Sequence, residues 1–173
     1  MKVIYTKNAP DAIGPYSQAI VAGGLVFTSG QIPINPESGA VEAQTVTEQT
    51  EQVCKNIKAV LEEAGSSLEK VVKTVCFLSD MGNFAAFNEV YAKYFTGKPA
   101  RSCVAVKELP KNVLVEIDTV AEIYYGRSYA DAPDVDGKVY FRSEERIAPG
   151  SFVRVKVRDV VEYDLYGNIV TRK

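Results

Sequence analysis

The stretch PARSCVAVKELPKNVLVEID, residues 99–118, sets an arginine, Arg101, at the head of one short apolar run and a carboxylate, Glu116, inside the next. A charge in an apolar strand is costly to bury unless it is paired or used, so both need an account. Two accounts fit the residue types. One is a structural ion pair that closes a strand end. The other makes Arg101 a bidentate anchor for a substrate carboxylate or phosphate, with Glu116 beside it to handle a proton or a water. The composition narrows the remaining chemistry. With His 0 there is no imidazole base, no histidine metal ligand and no Ser-His or Cys-His nucleophile pair. Any reaction must run on Arg, Glu, Asp, Tyr, Lys or backbone groups.

Weaker signals surround this pair. Tyr16 in IGPYSQ follows a Gly-Pro turn and offers a hydroxyl. Ser29 and Gly30 in FTSGQIP end an apolar run, where a glycine lets main-chain groups approach a ligand closely. Asn88 in FNEVY sits near an aromatic helix face. Each also fits a plain turn or a solvated surface. Cys54, Cys76 and Cys103 are too far apart for a CxxC motif and odd in number, which predicts buried free thiols rather than a disulfide framework.

The elements that must position these groups are legible from periodicity. KVIYT reads as a strand, and SQAIVAGGLVFTSG as a hairpin turning at Ala22-Gly23-Gly24. In QTVTEQTEQVCKNIKAVLEEAG, residues Val53, Ile57, Val60, Leu61 and Ala64 recur at helical spacing. Thr45 and Glu48 fit a capping box there, and Gly65 a helix stop. VVKTVCFLSD predicts a strand, after which Asp80 begins a second helix with Phe84, Phe87, Tyr91, Tyr94 and Phe95 on one face. RSCVAVKEL and VLVEIDTVAEI read as a final hairpin around Pro110-Lys111-Asn112, which places Arg101 and Glu116 across a short turn. The order predicts an α+β fold, a mixed sheet with two helices on one face. Apolar residues on both sides of two strands predict that a second copy covers the other face, and hence a homo-oligomer.

The 173 residues, 46% hydrophobic and 24% charged, allow one well-buried domain with a small appendage. A net charge of -2 gives the whole molecule no electrostatic reason to seek nucleic acid or an anionic membrane. No run is long and apolar enough for a membrane span, and MKVIYTKNAPDAIGP lacks the core of a signal peptide, so the expected location is cytoplasmic, with no membrane partner. Beyond residue 124 helical periodicity gives way to turn signals and alternating runs such as FVRVKV, which predicts an all-β piece.

IGPYSQAI, FTSGQIPINPESG, EQTEQVCKNIKAVLEEAG, VVKTVCFLSDMGNFAAFNEVYAKYF and PARSCVAV followed by VEI resemble the RidA (YjgF/UK114) reactive intermediate deaminases over residues 1–123. The resemblance implies a chorismate mutase-like fold, a homotrimer and active sites in clefts between subunits. It implies that Arg101 grips a substrate carboxylate and Glu116 positions or activates water. Tyr16, Ser29, Gly30, Asn88 and Cys103 would line the pocket, Cys103 mainly through its backbone. The implied reaction is hydrolysis of enamine/imine intermediates, such as 2-aminoacrylate, to a 2-keto acid and ammonia, with no cofactor and no metal. A small 2-imino acid would then be the substrate. One departure is the short TGK connector, residues 96–98, ahead of PARSC, which would reshape the pocket entrance.

Members of that family end soon after the VEI strand, so residues 124–173 form a separate expected unit. The DAPDVDG and EYDLYG blocks resemble the carboxy-terminal TRAM domain of ribosomal-protein methylthiotransferases, a small OB-like β-barrel that binds RNA or protein. VLVEIDTVAEI stands where its first strand belongs, and the larger core is expected to keep that strand. The tail is then either a module for RNA or a ribosomal protein, or the by-product of a fusion. The cluster-binding CxxxCxxC motif is absent, so methylthiotransferase activity does not carry over. The rival to an enzyme is a protein that merely binds a small carboxylate or docks RNA through its tail.

Overall fold

The structure, a computed structural model, describes residues 1–126, 137–143, 147–148, 150–161 and 164–170. The expected order appears: strands β1 (Lys2–Ile4), β2 (Ala19–Ala22) and β3 (Leu25–Thr28), helix α1 (Val46–Ala64), β4 (Val71–Leu78), helix α2 (Phe84–Tyr94), β5 (Ala100–Ala105) and β6 (Val115–Glu122). The β2–β3 turn falls on Gly23 and Gly24, at φ 57° and 78°, the paired positive values that a two-residue hairpin of this twist requires. In α1 the Thr45 side chain accepts from the Glu48 N–H while Glu48 reaches back to the Thr45 backbone, and Gly65, left-handed at φ 86°, ends the helix. Asp80 caps a short 3-10 turn, Met81–Asn83, that leads into α2.

Six strands form one mixed sheet in the order β1-β2-β3-β6-β4-β5. Here the expected final hairpin fails. β5 and β6 do not pair: β4 lies between them, parallel to β5 and antiparallel to β6. The reason is α2, a crossover between β4 and β5, which makes the two strands parallel neighbours. The Pro110-Lys111-Asn112 segment is a wide 3-10 connection, with Lys111 and Asn112 both at positive φ.

Both helices lie on one face. Val53, Ile57, Val60 and Leu61 of α1 join Val26, Cys76, Ile117 and Ala121 of the strands in one buried cluster. α2 is tied to β4 by the Tyr91 hydroxyl against Thr74 Oγ1 at 2.8 Å, and to α1 by the Tyr94 hydroxyl donating to Glu51 at 2.7 Å. The other face carries a row in register, Val3, Ile20, Phe27 and Val120, of which Val3 and Phe27 are exposed.

β6 belongs to this sheet, as its larger core requires. The chain then enters a second sheet, order β7-β8-β10-β9, built from Tyr125–Gly126, Val139–Arg142, Val155–Val161 and Asp164–Ile169. It docks on the end of the first. Arg142 donates from Nε to the Glu62 carbonyl at 2.5 Å and pairs with the Glu63 carboxylate at 2.9 Å, so it reads the C-terminus of α1. Tyr140 is buried against the main core and stacks on Tyr166. Most of the DAPDVDG block, residues 131–136, lies outside the described residues, as do residues 162–163 of the EYDLYG block.

Candidate active site

The candidate residues form two groups rather than one. Arg101 stands opposite Thr74 and Cys103 opposite Cys76, both on the helix-covered side of β4. On that side the Arg101 guanidinium donates to Asn88 Oδ1 of α2 at 2.6 Å. It also lies over three rings of α2: Tyr91 at 4.8 Å, Phe84 at 5.5 Å and Phe87 at 6.0 Å from the centroids. These contacts fix the cation at the open edge of the sheet, since β5 is a terminal strand. Asn88 and Cys103 are thus brought to Arg101. The Cys103 thiol is raised by burial, partly offset by Arg101, which leaves it a poor nucleophile. Burial likewise pushes Cys76 up to about 12.

Glu116 stands opposite Phe77, one strand further in and on the reverse face. Paired residues in register share a face and successive residues alternate, so Thr74 and Phe77, three positions apart, point to opposite sides. Arg101 and Glu116 of one chain are therefore not neighbours. The structural ion pair considered for them does not form: among the described residues the ion pairs are Lys58–Glu62 and Arg142–Glu63.

What Glu116 does meet is Gly30. A Cβ built on Gly30 would collide with Glu116 Oε1 and lie 2.8 Å from its Cδ and 3.0 Å from Asp118 Oδ1. Glycine here is a requirement of space. The backbone on either side is pinned, because Gln31 and Ile117 exchange N–H···O bonds of 3.0 and 3.1 Å. Ser29 is held by donation to the Ser17 carbonyl at 2.7 Å, and Tyr16 lines a narrow cleft with Gly30 and Ile32, its hydroxyl accepting from the Ile13 N–H at 3.2 Å. Tyr16, Ser29, Gly30 and Glu116 are the second group. Burial, then the charge of Asp118, raises the Glu116 carboxyl above its ordinary value, and burial raises Asp118. Asp118 was not among the residues singled out from the sequence. The signal was present in VEID, where period-two alternation puts both acids on one strand face.

A sheet with two helices on one face, an arginine braced at its edge and a half-buried glutamate over a glycine defines the class. The chain belongs to the family whose model is described as endoribonuclease L-PSP, the RidA/YjgF proteins, which it matches over residues 6–123. A second model, a TRAM domain, matches residues 111–170, so both claim β6. A RutC family protein of Pyrococcus horikoshii is 54% identical over 121 residues, 69% of this chain and 96% of that one. A 2-iminobutanoate/2-iminopropanoate deaminase of Salmonella typhimurium is 48% identical over 124 residues, again 69% and 96%. The crystal structure of E. coli TdcF with bound serine superposes with a TM-score of 0.68 at 42% identity, over 72% of this chain and 100% of that one. No helix among the described residues is long and apolar enough to cross a membrane.

Proposed function

We propose that this protein hydrolyses reactive enamine/imine intermediates, such as 2-aminoacrylate and its tautomer 2-iminopropanoate, to a 2-keto acid and ammonia. The observation that carries the reading is that, among the described residues, a braced guanidinium and a half-buried carboxylate each stand without an opposite charge. An arginine so placed is free to take a carboxylate in two parallel hydrogen bonds. A glutamate over a glycine is free to orient a water. The deaminase named among the relatives and the serine bound in TdcF support a small amino- or imino-acid ligand.

Because the two groups lie on opposite faces of one sheet, one substrate meets both only where two copies adjoin. The edge with Arg101, Asn88 and Cys103 would come from one copy, and the face with Tyr16, Ser29, Gly30 and Glu116 from the next. The exposed apolar row through Val3 and Phe27 supplies a surface for that association, in a homotrimer. The chemistry needs little more. The imine carbon is already electrophilic, so holding the substrate and aiming a water does most of the task. Residues 1–123 carry this activity and residues 124–173 form the appended unit. The test is keto-acid and ammonia release from 2-aminoacrylate generated in situ by a dehydratase, corrected for spontaneous hydrolysis. Acceleration by the intact chain that is absent with Arg101→Ala supports the reading; no acceleration by a folded oligomer overturns it.

A second reading concerns the tail. Arg154, Lys156 and Arg158 are all exposed on or beside β9, the edge strand of the second sheet. Such a row suits a phosphate backbone. RNA binding that weakens steeply with salt, and is lost when the three are changed to Glu, would support it; binding unchanged by those substitutions would refute it.

A further inference from the structure

We propose that Asp118 is a positioning residue for Glu116, and that the two carboxyl groups hold one proton between them. The reaction centre then contains an acid for the imine nitrogen as well as a base for the water. This rests on the hydrolytic reading of the site and supplies what that reading leaves open, the origin of the protons.

The geometry is the basis. Asp118 and Glu116 are two apart on β6, opposite Val75 and Phe77, and so share the face turned from the helices. Both converge on Gly30: from the point where its Cβ would stand, Glu116 Cδ is 2.8 Å and Asp118 Oδ1 3.0 Å away. The two groups are thus within about 6 Å of each other, close enough for like charges to disfavour double ionisation. Among the described residues, neither carboxylate takes a hydrogen bond or pairs with a cation. Burial acts in the same direction on both.

The surrounding charges leave this coupling in place. On the same face of β4 the one cation is Lys73, and its Nζ donates to Ser102 Oγ of β5 at 3.0 Å, on the side away from β6. On β6 itself Glu122 follows further along the face. The β3 side presents Ser29 and Gly30, which are uncharged. Arg101 of the adjoining copy faces the site from outside, and the substrate carboxylate neutralises it on binding.

The proton balance closes on one group. Glu116, protonated, gives its proton to the imine nitrogen. As water oxygen bonds to the carbon, the resulting carboxylate takes a proton from that water. Glu116 then protonates the amino group of the carbinolamine. Finally the C–N bond breaks, the hydroxyl proton returns to Glu116, and ammonia and the keto acid leave. No oxidant or cofactor enters. Asp118 stays ionised throughout, and its charge favours the proton on Glu116.

The experiment is a carbon-13 NMR titration of the side-chain carboxyls in substrate-free protein, wild type against Asp118→Asn and Asp118→Glu, alongside the pH profile of kcat/KM. Asp118→Asn is expected to lower the Glu116 midpoint by about half a unit or more and to move the alkaline limb of the profile down with it. Asp118→Glu, which restores the charge, is expected to return both. A Glu116 midpoint unmoved in Asp118→Asn, or a uniform loss of activity with an unmoved profile, would overturn the proposal. The titration needs no substrate, so failure of the hydrolytic reading would appear separately, as a wild-type protein that releases no keto acid.

Discussion

Replacing Gly30 with alanine sets a methyl group against the Glu116 carboxylate, at 2.8 Å from Cδ and 3.0 Å from Asp118 Oδ1, where ordinary contact distances are about 3.5 to 4 Å. The backbone cannot retreat, because the Gln31–Ile117 pair fixes both strands on either side. The clash is therefore relieved by the far end of Glu116, which must swing by about 1 Å into an off-rotamer position at a cost of about 1 kcal/mol. Such a displacement of a water-orienting group costs about 10²-fold in rate, or about 2.7 kcal/mol of barrier. The expected result is a kcat/KM for 2-iminopropanoate hydrolysis lower by about that factor, with a melting temperature changed by only a few degrees. The double-mutant cycle makes the cause explicit. In a Glu116→Gln background the alanine should add almost nothing, since the carboxylate it displaces is already gone. Full activity in Gly30→Ala, or an equal loss in both backgrounds, would refute the reasoning.

Other outcomes follow from the same geometry. Arg101→Ala should lose on the order of 10³-fold in kcat/KM, because binding and orientation fail together, and Arg101→Lys should recover only part of it, since an ammonium cannot grip a carboxylate in two parallel bonds; steady-state kinetics on the two variants decides this. Thr45→Ala removes the capping box of α1 and should cost about 1 kcal/mol of stability in urea melts while leaving activity unchanged. The native state holds protons on Glu116 and Asp118 more tightly than the unfolded chain does, so their effect on stability worsens as pH rises from the ordinary carboxylate range through the raised native values. Asp118→Asn should consequently be more stable than wild type at neutral pH, with the difference vanishing near pH ~3, where both acids are protonated in either state; urea melts across that range would expose an error in sign.

How much of this was legible beforehand follows the range of the interactions. α1 was readable from Thr45 to Gly65 because its caps and apolar spacing are local, and so was the Gly23-Gly24 turn. The pairing of β5 was misread because a nearby turn signal at Pro110 outweighed the connection through α2, although a strand–helix–strand order already implied that β4 and β5 run parallel. That error mattered for function: it placed Arg101 beside Glu116, whereas the sheet sets them on different strands and faces. Asp118 is legible only from the alternation of VEID, which sets it on the same strand face as Glu116, because the motif resemblance marks the glutamate alone. The fate of β6, claimed by two domain types, was decided as expected by the larger core that Val115, Ile117 and Ala121 enter.

The proposed reaction centre requires that two copies of the chain build it together. Arg101→Ala and Glu116→Gln chains, each nearly inactive alone, should be unfolded together, refolded as mixed oligomers and assayed for keto-acid release. If the arginine of one copy works with the glutamate of the next, random mixing in equal amounts gives about one quarter of the sites both residues, and about one quarter of wild-type activity returns. If the mixed oligomers stay as inactive as their parents, the two residues do not meet across a subunit boundary and the account is wrong.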